Sequence, residues 1–255
     1  MQLNYKEFGQ GQALIIHHGL FGSLDNWMTI ARQFAEHFHV YLIDARNHGQ
    51  SPHSEQWDYP TMAQDLYEFI QQHNILYPII MGHSMGGKVA MHFASEHPEM
   101  LDKLIVVDIA PKDYPPHHQE VLQALNAVDF SKVKSRKEAE DAVSVYIKDF
   151  AIKQFLLKNM YWKNAEELAW RFNLPVIEKN IELIGKNTLG NTIIDVPTLF
   201  IAGVKSHYIL PSDETQIKAY FPKAEILFFP NAGHWVHAEA PKELFEAVLN
   251  FSRKQ

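Results

Sequence analysis

Apolar positions in the first 110 residues form short runs that alternate with stretches of helical spacing. Leu14-Ile15-Ile16-His17 is a continuous run closed by His18-Gly19, the pattern of a strand covered on both faces. Val40-Tyr41-Leu42-Ile43-Asp44, Ile79-Ile80-Met81 and Leu104-Ile105-Val106-Val107-Asp108 repeat it. Between them, the spacing predicts a helix over 24–38, with Ser23 or Asp25 as N-cap, and another in 89–95. Met62, Leu66, Phe69 and Ile70 recur at i, i+4, i+7 and i+8, one face of an amphipathic helix. Strands alternating with helices at this spacing predict an α/β fold, with a mostly parallel sheet and helices on both faces.

The rhythm stops after Pro111. Residues 112–192 show helical patterns at 121–128, 138–150 and 152–162, and no strand pattern. The alternation resumes at Pro197-Thr198-Leu199-Phe200-Ile201-Ala202-Gly203. A helix after Ser212, a strand over 225–229 and a last helix from Pro241 follow. The expected organisation is one α/β core, residues 1–111 and 193–255, interrupted by a helical insertion over 112–192. At 255 residues, with 46% hydrophobic and 12% aromatic side chains, the chain suits a single folded core.

Composition narrows the chemistry. The net charge of −7 argues against general nucleic-acid binding, which needs a basic surface. With no cysteine, disulfides, thiolate zinc sites and a cysteine nucleophile are excluded. No apolar run approaches the roughly 18 residues of a membrane span, and no basic n-region precedes an apolar stretch at Met1, so a cytoplasmic location is expected. His17-His18 and His117-His118 are adjacent pairs whose rings do not readily turn to one ion, and no phosphate-cradling glycine motif occurs. No metal and no cofactor are expected.

Gly82-His83-Ser84-Met85-Gly86 reads G-x-S-x-G between a predicted strand and a predicted helix, the setting of a nucleophile elbow. The flanking glycines are needed because a Cβ there would strike neighbouring backbone. The alternative is a glycine-rich turn with an inert serine. Ser84 is the candidate nucleophile, and it requires a base from a later loop at the carboxyl edge of the sheet. Gly233-His234-Trp235, after the last predicted strand, supplies His234; His237 and His207 are its rivals, and His83 is too close in sequence to turn onto Ser84.

These segments resemble the α/β-hydrolase fold family: His18-Gly19-Leu20-Phe21-Gly22, Asp44-Ala45-Arg46-Asn47-His48-Gly49-Gln50-Ser51, the elbow, and Gly233-His234-Trp235-Val236-His237-Ala238-Glu239. Within that family, Leu20–Trp27, Val107-Asp108-Ile109-Ala110-Pro111 and Gln154-Phe155-Leu156-Leu157-Lys158 are similar to the YbfF-type esterases, which act on acyl esters and acyl-CoA thioesters. The resemblance implies an acyl hydrolase whose insertion is a helical cap, and an oxyanion hole from the backbone N–H groups of Leu20 and Met85.

The acid departs from the commonest family pattern. Where many members carry G-x-x-D, this chain reads Gly203-Val204-Lys205-Ser206, and serine holds no imidazolium by charge. Asp195 precedes its strand, at the wrong edge, and Asp213 reads as a helix N-terminal residue. Asp108 ends the strand beside the elbow, on the correct edge, and the YbfF-type subgroup resembles this arrangement. Asp108 is the expected orienting acid, with Ser206 an additional hydrogen-bond partner near His234. The loop at Asp44 and Arg46 is expected to brace neighbouring turns, with a binding loop as the second reading. The cap aromatics Tyr114, Phe130, Phe155, Tyr161, Trp162 and Trp170 should serve as core and pocket wall. Lys132, Lys134, Arg136 and Lys137 read as a solvated face, with contact to an anionic CoA tail as the second reading.

The expected activity is serine hydrolysis of a small acyl ester or acyl-CoA substrate through an acyl-enzyme. Two rivals stand beside it. One is a carbon–carbon bond hydrolase, lyase or peroxidase on the same triad; the other is a non-catalytic binding protein on a hydrolase scaffold.

Overall fold

β1 (Tyr5–Phe8), β2 (Ala13–His17), α1 (Met28–Phe34), β3 (His39–Ile43), α2 (Tyr59–Gln72), β4 (Ile79–His83), α3 (Met85–Glu96) and β5 (Lys103–Val107) make up the first half of the chain. A segment of short elements follows: α4 (Gln119–Asn126), α5 (Arg136–Tyr146), α6 (Phe150–Leu157), β6 (Met160–Trp162), β7 (Leu168–Trp170), α7 (Leu174–Lys179) and α8 (Ile181–Ile184). β8 (Thr198–Gly203), α9 (Glu214–Tyr220), β9 (Ala224–Phe229), α10 (Val236–Glu239) and α11 (Pro241–Ser252) complete it. This computed structural model describes residues 1–116 and 118–254; His117, half of one histidine pair considered above, lies outside the described residues.

Among the described residues, seven strands form one sheet in the order β1-β3-β2-β4-β5-β8-β9, antiparallel at β1 and parallel elsewhere. Alternate residues of each central strand feed opposite cores. Ile15, Leu104 and Val106 pack with α2 and α3 on one face; Leu14, Ile16, Ile105 and Val107 pack with α1 and α11 on the other. The order turns back at β2, with β3 on one side and β4 on the other. The carboxyl ends of β2 and β4 therefore flank the crevice where open α/β sheets bind ligands. α3 is buried over nearly its whole length, because the sheet covers one side, α2 packs along another, and the chain around Lys112, Lys186 and Thr188 covers Lys88 and His92.

Three expectations about elements need correction. β1 has no counterpart in the sequence reading, because Tyr5-Lys6-Glu7-Phe8 is a half-exposed edge strand whose polar residues mask the signal. The helix expected over 24–38 is split into a 3₁₀ turn at Leu24–Asn26 and α1. The third concerns residues 112–192, which contain a strand pair: β6 and β7 form an antiparallel ribbon, so the helix expected over 152–162 stops at Leu157. The turn between them is closed by Asn164, whose side-chain oxygen accepts from Glu166 and Glu167 N–H, both at 2.9 Å. Three-residue strands are too short to show a period of two.

Candidate active site

β4 delivers Ser84 into a strained turn, φ 52° and ψ −117°, in a region that side-chain-bearing residues rarely occupy. The strain is held by the surroundings. Ser84 N–H donates to the Val107 carbonyl at 2.9 Å, and the Ser84 carbonyl accepts from Lys88 N–H at 3.1 Å. A Cβ on Gly82 would lie 2.1 Å from the Gly86 carbonyl oxygen, and one on Gly86 would lie 2.3 Å from that of His17, so only glycine fits either place.

Asp108 occupies the matching position at the end of β5, also with positive φ (53°), and is fully buried. Its Oδ1 accepts from Gly203 N–H at 3.0 Å; its Oδ2 accepts from Ser206 Oγ at 2.5 Å and from His234 Nδ1 at 2.7 Å. A carboxylate only accepts, so Nδ1 carries the proton and Nε2 is left as the basic nitrogen. The Tyr208 ring stacks on His234, with centroids 4.1 Å apart and planes at 20°.

The rival histidines are engaged differently, although His83 and His237 also line the cavity beside Ser84. His83 Nε2 donates to the His234 carbonyl at 2.8 Å, and burial with neighbouring His234 pushes its pKa well below the ordinary value. His237 stacks on Trp27, its pKa lowered to about 3 mainly by burial, and His207 is exposed. Asp195 pairs with Lys223 at the surface, and Asp213 with Lys112 at 2.5 Å.

Ser84, His234 and Leu20 line one cavity of about 210 Å³, roofed by Phe155 of α6 and walled by Trp235. Among the described residues, the backbone N–H groups of Leu20 and Met85 have no acceptor, and Ser84 Oγ has no hydrogen-bond partner. Contacts between base and nucleophile often tighten only with substrate bound. The loop after β2 closes on the elbow so tightly that a Cβ on Gly19 would lie 3.3 Å from Ser84 Cβ.

A family profile described as alpha/beta hydrolase fold matches residues 12–241. The chain belongs to the α/β-hydrolase fold family. Esterase YbfF of Escherichia coli is 36% identical over 240 residues, 93% of this chain and 92% of that protein. The sn-1-specific diacylglycerol lipase ABHD11 of Mus musculus is 37% identical over 247 residues, 94% of this chain and 80% of the lipase. A solved marine microorganism esterase superposes with a TM-score of 0.95 at 44% identity, covering 98% of this chain and 99% of its own. The kinship to the YbfF-type esterases inferred from the motifs is therefore shown.

Within this α/β-hydrolase frame, several residues that hold the site have no motif to announce them. His18 Nδ1 donates to the Gly19 carbonyl at 2.8 Å, leaving Nε2 to accept from Ala45 N–H at 3.0 Å. His48 Nε2 likewise accepts from Phe21 N–H at 3.3 Å. Burial lowers both pKa values to about 3, and only the neutral ring can accept. Asp44 takes N–H bonds from Leu24 and Gln50, and Arg46 grips Asp65 through two bonds of 2.5 and 2.7 Å, so this loop braces its neighbours. Of the aromatics expected at the pocket, Phe155 lines the cavity, whereas Trp162 is 48% exposed and does not. Lys132 and Lys137 pair locally with Asp129 and Asp141 on a solvated face, while Arg136 turns inward to the Met160 carbonyl.

Proposed function

We propose that the chain is a serine esterase in which Ser84 is the nucleophile, His234 the base, Asp108 the orienting acid and Ser206 an auxiliary donor to that acid. The observation that carries this reading is the 2.7 Å bond from His234 Nδ1 to buried Asp108, made by a histidine that lines the same cavity as Ser84. His234 Nε2 takes the Ser84 proton as Oγ attacks the ester carbonyl, and the Leu20 and Met85 N–H groups hold the oxyanion. The tetrahedral adduct collapses, His234 returns the proton to the departing oxygen or sulfur, and an acyl-serine remains. Water gives its proton to His234 and attacks the acyl carbon. The acid leaves and Ser84 Oγ recovers its proton. Asp108 stabilises the imidazolium in both steps, and the two hydrogen bonds from Gly203 and Ser206 keep its carboxylate aimed.

Residues 112–192 act in this proposal as a cap over the 1–111 and 193–255 core. The substrate class is a small acyl ester, with acyl-CoA thioesters as a second group. The names of the related esterases and lipase support ester chemistry. The cavity of about 210 Å³ supports a short acyl chain, being smaller than the roughly 300 Å³ at which pockets begin to enclose drug-sized molecules. A cytoplasmic location belongs to the same proposal; among the described residues, no helix is long and apolar enough to cross a membrane.

The test is hydrolysis of p-nitrophenyl esters from C2 to C16 by wild type and Ser84→Ala. The expected result is activity greatest on short chains and lower by about 10⁴-fold or more in the variant. Folded wild type no faster than Ser84→Ala would overturn the esterase reading and favour carbon–carbon chemistry or a binding role.

A further inference from the structure

One turn beyond Ser84, α3 carries a buried lysine with no carboxylate in hydrogen-bond reach among the described residues. Lys88 is 3% exposed. Its ammonium donates to the Lys112 and Lys186 carbonyls, both at 2.7 Å, and more weakly to Gly185 at 3.4 Å. It also lies 5.1 Å from the ring centre of Tyr114 and 6.0 Å from that of Tyr59. An ammonium is costly to bury; carbonyl dipoles and aromatic faces offset part of that cost, and burial still lowers the Lys88 pKa to about 7.

The acceptors sit where the chain leaves the core after β5 and where it comes back toward β8. These two stretches also touch directly. Tyr114 N–H donates to the Gly185 carbonyl at 2.8 Å, and Tyr59 Oη donates to that of Ile184 at 2.7 Å. A Cβ on Gly185 would lie 2.4 Å from the Tyr114 carbonyl oxygen, so the approach admits only glycine. Lys88 thus pins both roots of the overlying segment to the helix that begins at the candidate nucleophile.

A polar path continues from this knot to the base. Tyr114 Oη accepts from Ala110 N–H at 2.8 Å and donates to the Tyr208 carbonyl at 2.6 Å. Tyr208 N–H donates to Ser206 Oγ at 3.2 Å, and its ring is the one stacked on His234. Tyr114 and Tyr208 also line the narrow space beside Ser84.

We infer that Lys88 is a positioning residue: its ammonium ties both roots of the segment between β5 and β8 to α3, and Tyr114 with Tyr208 passes that fixed position to the ring of His234. The second half rests on the proposed role of His234; the first does not. Serine or alanine at 88 would leave the carbonyls of 112 and 186 facing a void. Methionine keeps the length and removes the donors. Arginine keeps charge and donors.

The experiment combines amide hydrogen exchange of peptides covering 110–116 and 183–190 with ester kinetics, in wild type, Lys88→Met, Lys88→Arg and Tyr114→Phe. In Lys88→Met, exchange at both roots should quicken about tenfold or more while β4 and β5 stay protected, and Lys88→Arg should restore much of the protection. Tyr114→Phe should leave exchange at 183–190 as in wild type yet lower kcat several-fold with KM little changed. Folded Lys88→Met with wild-type protection at both roots would overturn the clamp. Tyr114→Phe with wild-type kcat would overturn the path to His234, and it decides that half even where Lys88→Met does not fold. A wild type inert to esters would end the esterase reading, while the exchange data would still uphold or sink the clamp.

Discussion

The carboxyl edge of the sheet and the segment above it hold their side chains by different means. At the edge, Ser84 and Asp108 stand in left-handed turns with φ of 52° and 53°, and each backbone N–H is tied to the adjacent strand, at 2.9 and 2.8 Å. Buried neutral histidines fix the loops around them. The segment instead uses short helices capped by side chains, Ser135 for α5 and Asp149 for α6, and leaves Val145, Phe150 and Trp162 exposed. The groups proposed to meet the reacting atoms stand on packed strand ends, whereas the segment proposed to shape the cavity stands on elements with fewer ties.

Acid should break the edge before it breaks anything particular to the segment. Burial lowers His17 to about 4 and His18, His48 and His237 to about 3, from an ordinary 6.5. Below pH 6.5 the unfolded chain takes up protons that the folded one refuses. Stability is therefore full above that pH and is lost as pH falls toward 4 and 3. Each histidine steepens the loss by up to about 1.4 kcal/mol per pH unit. Urea unfolding at pH 7, 6 and 5 should show this decline, and His48→Gln, whose amide oxygen can still accept from Phe21 N–H, should lessen it. A stability flat from pH 7 to 5 would contradict the assignment of these rings as neutral.

A milder cut at the edge is Ser206→Ala, which removes the 2.5 Å bond to Asp108 Oδ2 while leaving Gly203 and His234 in place. Losing one hydrogen bond to a buried charge should lower kcat about tenfold on every ester, short or long. A loss confined to long chains would move Ser206 from the acid to the pocket wall.

The smallest effect on short esters is expected from the segment. Phe155 and Trp235, with ring centres 5.5 Å apart, line both the inner cavity and an outer groove of about 480 Å³. Phe155→Ala should join the two spaces, shifting preference toward longer acyl chains while kcat on the acetate ester changes less than about threefold. An unchanged chain-length profile would show that this pair does not set the boundary.

The same contrast decides what could be read in the chain. The central strands are legible because runs such as Leu14–His17 and Leu104–Val107 are buried on both faces and carry almost no polar residue. β6 and β7 are not, since three residues hold no periodicity and their pairing depends on a turn built by Asn164. Within the site, Ser84 and His234 are marked by glycines and by their place after strands. Asp108 emerges only by setting aside Asp195 and Asp213 and by resemblance. His18, His48, Lys88 and Tyr208 carry no local mark at all. Each also has a partner 24 or more residues away along the chain, as Ala45 is for His18, Lys112 for Lys88 and His234 for Tyr208, and only folding brings these together.

The central claim is that the acid stands at the end of β5, and Asp108→Asn beside Asp213→Asn tests it most directly. With both variants folded by circular dichroism, kcat on p-nitrophenyl acetate should fall about 10³- to 10⁴-fold for Asp108→Asn and stay within about twofold of wild type for Asp213→Asn. A near-normal Asp108→Asn enzyme, or the reverse order of the two, would contradict it.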